Sequence, residues 1–175
     1  MPTTTYRDIS DTLSQLYLED NRPWLVGFSG GKDSKMLASL IFDAALSIPA
    51  AQRKKPVSVL CTDTRVEIPA IVELVEGTLA RMNKFSQQND LGIEVNLLRP
   101  PPEQSFWVNV IGRGYPPPNR TFRWCTQRLK IDPVTVFVNQ RSSLDRLAGV
   151  ILLVGLVVFE PDEEELALRI PEHGL

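Results

Sequence analysis

Six consecutive residues, Ser29-Gly30-Gly31-Lys32-Asp33-Ser34, follow almost directly on the apolar run Trp24-Leu25-Val26 and combine the residue types that a bound polyphosphate needs. Glycines let a backbone come close to an anion. The unpaired amides and positive dipole end of a following helix then face it, and Lys32 adds a full charge. The Ser29 and Ser34 hydroxyls supply further donors. This is not a Walker P-loop, which requires G-x-x-x-x-G-K-[ST]. Only three residues separate Gly27 from Gly31, and Asp33 stands where the hydroxyl should follow the lysine. The chemistry implied is electrostatic positioning of a nucleotide polyphosphate such as ATP.

Two carboxylates and a basic stretch extend this reading. Asp33 and Asp63 each follow an apolar run, where a divalent cation such as Mg2+, bridging phosphate oxygens, would want oxygen ligands. Asp33 suits a helix N-cap equally well, and Asp63 suits a solvated loop. Thr64 beside it is a further nucleotide contact. From Gln104 to Ile131 there are five positive charges, Arg113, Arg120, Arg123, Arg128 and Lys130, and no negative one. Such a stretch contacts the phosphates of ATP or DNA, or is a solvated basic loop. Cys125 sits among these charges, which favour its thiolate. It reads either as a persulfide carrier or shared cluster ligand, or as a cysteine with no role in isolation. Cys61 lies in an apolar run and reads as a small buried hydrophobe.

The elements that must position these groups follow from pattern. Residues 6–19 space Ile9, Leu13, Leu16 and Tyr17 as an amphipathic helix within an N-terminal segment 1–22. Trp24-Leu25-Val26 predicts a buried strand, and Asp33 or Ser34 the cap of a helix through about Leu46. A polar connection from Pro49 to Pro56 leads to a strand over 57–61, and Pro69 opens a helix running toward Asn89. Residues 93–98 alternate as a third strand. After Arg99-Pro100-Pro101-Pro102 comes a short helix over 105–111, then a long Pro-rich loop over 112–126, with the whole basic segment spanning 112–130. A helix over 130–140 entered through Pro133 and a strand over 150–154 follow. Alternation of strands and helices predicts an α/β fold, a mainly parallel sheet with helices on both faces. Ligands of such folds bind beyond the carboxyl ends of the strands, where Ser29-Gly30-Gly31 and Thr62-Asp63-Thr64 both fall.

Ser29 to Ser34 resembles the SGGKDS signature of the PP-loop ATP pyrophosphatases, enzymes with the adenine nucleotide alpha-hydrolase-like fold that split ATP between its α- and β-phosphates. Asp63-Thr64-Arg65-Val66-Glu67-Ile68-Pro69 is similar to the D-T-x-x-E-x-P segment of the phosphoadenylylsulfate-reductase branch. Residues 123–133 are similar to its R-x-C-C-x-x-L-K-x-x-P element, with Thr126 in place of the second cysteine. PWLVGFSGGKDS, TDTRVEIP, FWVNVIGRGYPPPNRTFRWCT and RLKIDP, in that order, resemble the DndC-like proteins of bacterial DNA phosphorothioation over about residues 6–154. That resemblance implies ATP cleavage linked to sulfur transfer onto the DNA backbone. Lys32, Asp33, Asp63 and Cys125 would be its catalytic positions, a cysteine desulfurase and other sulfur-modification proteins its partners, and an iron–sulfur cluster its cofactor. The sequence departs from the family after Gly155, where a basic segment is replaced by Leu156-Val157-Val158-Phe159-Glu160, and downstream cysteines are absent. A four-iron cluster wants four thiolates.

Composition bounds the rest. The 175 residues suffice for one core, with 43% hydrophobic content. We read residues 1–155 as the PP-loop-like domain and 156–175 as a divergent acidic tail. Residues 160–175 carry six carboxylates and one arginine, so the overall charge of −2 hides a net +3 before them. Two cysteines make no disulfide framework, and no leader pattern opens the chain, so a cytoplasmic protein is expected. The apolar run 150–159 is too short to span a membrane and predicts a core strand. His173 is assigned no role. Association into a homo-oligomer stays open. Two other functions compete: a non-catalytic nucleotide-binding or assembly subunit, and a phosphoadenylylsulfate-reductase-like enzyme on a small sulfonucleotide, against which Thr126 counts.

Overall fold

The computed structural model describes residues 5–142, 151–154 and 157–159. Val150, Gly155 and the acidic residues 160–175 with His173 lie outside the described residues. The chain is an α/β protein with a five-stranded sheet in the order β3-β2-β1-β4-β5. Strands β1 (Trp24–Gly27), β2 (Val57–Thr62), β3 (Ile93–Leu98) and β4 (Ile151–Val154) run parallel. Strand β5 (Val157–Phe159) pairs antiparallel to β4. The apolar run expected as one core strand is therefore two. Among the described residues, no helix is long and apolar enough to cross a membrane.

Helix α1 (Tyr6–Glu19) begins with a capping box, in which the Asp8 amide donates to the Thr5 hydroxyl and the Thr5 amide to the Asp8 carboxylate. Its Tyr17 ring meets Trp24 edge-on at 5.6 Å. The buried Lys55 ammonium lies 4.7 Å from the Trp24 ring and is paired with Asp20 at 2.8 Å. This contact ties α1 to the start of β1.

Side chains alternate along each strand, so the two faces of the sheet are separate environments. Trp24, Val26, Val57, Val59, Cys61 and Ile93 face a core shared with α1, α2 (Lys32–Ser47) and α3 (Pro69–Gln88). Ser58 and Glu94 alternate with these residues and face the other way. They meet Arg141 of α5 (Asp132–Ser142), so helices cover both faces.

Two predicted boundaries are corrected. The cap of α2 is Gly31, with Asp33 and Ser34 already inside the helix. The Ser34 hydroxyl donates to the Gly31 carbonyl at 3.1 Å and accepts from the Ser29 amide at 3.3 Å, so it folds the turn back from one residue further on. The basic loop is also shorter than read. Helix α4 (Trp124–Thr126) starts inside it and runs through a π turn, Gln127–Ile131, into α5, so Cys125 and Lys130 are helical. Pro133 lies in the interior of this continuous helix rather than at its entrance. A proline there has no amide to donate, and the adjacent π turn absorbs the resulting misfit.

Candidate functional site

The glycine turn and the acidic turn lie side by side at the carboxyl ends of β1 and β2. Backbone bonds join the two ends to their neighbours: the Phe28 amide donates to Leu60 O at 2.8 Å, and the Asp63 amide to Leu98 O at 2.8 Å. Gly30 has φ +78°, and a Cβ there would lie 2.7 Å from Val75 Cγ2 of α3. Only glycine meets both conditions. The first intrahelical bond of α2 is Lys35 N–H to Gly31 O, so the amides just before Lys35 point out of the helix start. Ser29, Gly31, Lys32 and Asp33 are exposed around them, and Ser34 is buried beneath. Among the described residues, neither the Lys32 nor the Asp33 side chain makes a hydrogen bond or ion pair.

Asp63 is held differently. Its Oδ1 accepts from the Arg65 amide at 2.8 Å, and its Oδ2 accepts from Arg99 Nε at 2.9 Å. Arg65 takes φ +60° to close this turn, an unusual conformation for a side chain of its size. Partial burial pushes the Asp63 carboxyl up, but the Arg99 guanidinium and Arg65 amide outweigh it and hold it below the usual carboxylate range. Arg99 also donates to Glu76 Oε1 at 2.9 Å. Thr64 is buried and donates to Glu67 Oε1 at 2.9 Å, so its hydroxyl braces the turn. A cleft between this turn, Ser29 and the start of α3 is lined by Thr62, Asp63, Glu67, Val75 and Glu76.

Cys61 lies under the cleft. Burial, then Glu67 and Asp63, pushes its thiol up to about 11, opposed by Lys130. Cys125 is half-buried on the first turn of α4. Among the described residues, no group of three or more His, Cys, Asp or Glu side chains is arranged to hold a metal.

The five basic residues separate into two sets. Arg113 donates to Gln104 Oε1 at 3.1 Å and Asn109 Oδ1 at 3.0 Å, and Arg128 to the same Gln104 oxygen at 2.7 Å and to Tyr115 Oη at 2.9 Å. Arg120, Arg123 and Lys130 are exposed and make no such bond among the described residues. Trp124 is buried at 7% exposure and donates its indole N–H to Pro116 O at 3.0 Å. Trp107 is 58% exposed. Sequence reasoning missed Arg99, Glu76, Gln104 and Tyr115. Their partners lie far along the chain, as Arg99 and Asp63 do across 36 residues, and no local pattern marks such a pair.

Fold and site together define an α/β protein with a glycine-rich turn at the strand ends. No family model matches the chain. It is similar to an uncharacterized protein of Methanocaldococcus jannaschii, with 30% identity over 138 residues, which are 79% of this chain and 24% of that protein. The chain thus spans about a quarter of the length of the curated relative it matches.

Proposed function

We propose that the chain binds ATP with Mg2+ over the Gly30-Gly31 turn and serves ATP cleavage to AMP and pyrophosphate, linked to sulfur transfer onto the DNA backbone. The observation that carries this reading is the SGGKDS turn itself, which resembles the PP-loop signature and has a glycine-only backbone set against the start of α2. The α2 amides and the Ser29 hydroxyl bind phosphate oxygens. Lys32 neutralises charge that builds on the leaving pyrophosphate as the bond between the α-phosphorus and the bridging oxygen breaks. In this reading a phosphate oxygen of the DNA backbone takes that place on the α-phosphorus and pyrophosphate departs with the electron pair. AMP then leaves with that oxygen when the persulfide sulfur attacks the DNA phosphorus, and a further thiol reduces the remaining S–S bond to Cys125.

Bound with ATP, Mg2+ would supply further charge neutralisation. Exposed Asp33 fits as its ligand as it stands, and Asp63 fits once Arg99 releases it. The resembling family's iron–sulfur cluster does not fit the residues present. The sequence has two cysteines, and Cys61 is buried in the core with its thiol pushed up to about 11. No step is assigned to a cluster. Cys125 carries sulfur as a persulfide in this reading, taking it from a cysteine desulfurase, and the basic residues 113–130 contact DNA phosphates.

Nucleotide chromatography tests the reaction. AMP and pyrophosphate should form in equal amounts, slowed by Asp63→Asn. Accumulation of ADP without AMP would sink the proposal.

A further inference from the structure

We propose that Trp107 and Phe122 form a base-stacking platform, so that the DNA this surface takes is single-stranded or locally unpaired. The inference rests on the DNA reading above and narrows it. The two rings are the exposed ends of a connected series. Trp107 meets Phe106 edge-on at 5.2 Å, Phe106 stacks on Trp124 at 5.5 Å, Trp124 meets Tyr115 edge-on at 5.6 Å, and Tyr115 lies 6.5 Å from Phe122. The inner member Trp124 is 7% exposed, whereas Trp107 is 58% and Phe122 43% exposed.

A scattered exposed ring is ordinary. These two differ because half-buried rings, Phe106 and Tyr115, back them and link them to buried Trp124, and because they lie in a stretch of chain that carries only positive charge. Arg120 and Arg123 flank Phe122 in sequence and are unpaired among the described residues, while Arg113 and Arg128 are braced on Gln104. Rings give every base a π-face to stack on, and the arginines track the phosphates between them. In a duplex those faces are occupied by neighbouring bases, and the protein can reach only phosphates, sugars and the base edges in the grooves. A platform of rings is therefore useful only against unpaired bases.

The test uses the 175-residue chain with a fluorescein-labelled oligothymidine of about 15 nucleotides and a duplex of equal length. Trp24 and Trp124 are buried, so quenching of tryptophan emission on binding reports Trp107. The single strand should bind more tightly than the duplex and quench that emission. Trp107→Ala and Phe122→Ala should each weaken single-strand binding roughly 5- to 150-fold, with duplex binding changed less than about twofold. Trp107→Phe should keep most of the affinity. Circular dichroism should be unchanged in all three variants. Equal binding of both DNAs, with Trp107→Ala silent or costing both alike, would overturn the platform and leave the DNA reading standing. Binding of neither DNA at low salt would overturn both.

Discussion

Replacing Gly30 by alanine separates backbone strain from side-chain crowding at the glycine turn. An L-residue in the left-handed region costs roughly 1–2 kcal/mol, and Gly30 sits there at φ +78°. The new methyl would also stand 2.7 Å from Val75 Cγ2. Valine in a helix has essentially one χ1 rotamer, so relief requires a shift of α3, at about 1–3 kcal/mol. Gly30→Ala should therefore lower stability by about 2–5 kcal/mol, measured by urea denaturation. Gly92, at φ +66° with open space around it, provides the control. Gly92→Ala should cost only the backbone part, about 1–2 kcal/mol. Adding Val75→Ala to Gly30→Ala should recover the crowding part, giving a favourable coupling of about 1–3 kcal/mol in a double-mutant cycle. Gly30→Ala within about 0.5 kcal/mol of the parent would show that the turn does not have this geometry.

Lys32→Ala should weaken ATP binding about 10- to 150-fold, the loss of one charge-assisted contact worth about 1.5–3 kcal/mol, and equal affinities by calorimetry would remove Lys32 from the site. The buried Lys55 gives a pH signature through Asp20. Partial burial pushes the Asp20 carboxyl up, but Lys55 and Arg22 outweigh it and hold it at about 2. Its contribution is complete above the unfolded value of about 4 and is lost as pH falls through about 2. Asp20→Asn should cost on the order of 2 kcal/mol at neutral pH and flatten the acid limb of a denaturation series. An unchanged acid limb would contradict the pairing. Purified without oxygen, the chain should be colourless and hold little iron; a brown protein with stoichiometric iron would refute the reading that its two cysteines cannot form a cluster.

Where local chemistry decides, the sequence was sufficient. Strand β3 begins and ends where alternation places it, and α3 starts at Pro69 because proline is suited to a first helical position. The α2 cap was misplaced by two or three residues because Ser34 was assigned the usual capping role. In the structure its hydroxyl reaches back to Gly31 O and Ser29 N, inside the helix. The end of the basic loop was misplaced for a tertiary reason. Trp124 starts α4 because its indole is bonded to Pro116 and sandwiched by Phe106 and Tyr115, contacts that Pro-rich composition conceals. At the site, the six-residue turn and Asp63 were readable. That Asp63 is already neutralised by Arg99 was not.

In the proposed ATP-binding reading, the neutralisation of Asp63 decides how a polyphosphate enters. The cleft beside the glycine turn is lined by Asp63, Glu67 and Glu76, and Arg99 answers only the first and last of these. ATP carries several negative charges, and each carboxylate left uncompensated within about 7 Å would oppose it by on the order of 1–2 kcal/mol near the surface. A divalent cation reverses the sign of that term, because the same carboxylates then attract the ligand complex. ATP in excess chelator should therefore bind at least about 10-fold more weakly than ATP with Mg2+. Glu67→Gln should narrow that gap by improving the metal-free affinity. Calorimetry showing equal affinities with and without Mg2+ would mean that the phosphates sit over α2 and away from the acidic wall, and Asp63 would then have no part in holding the nucleotide.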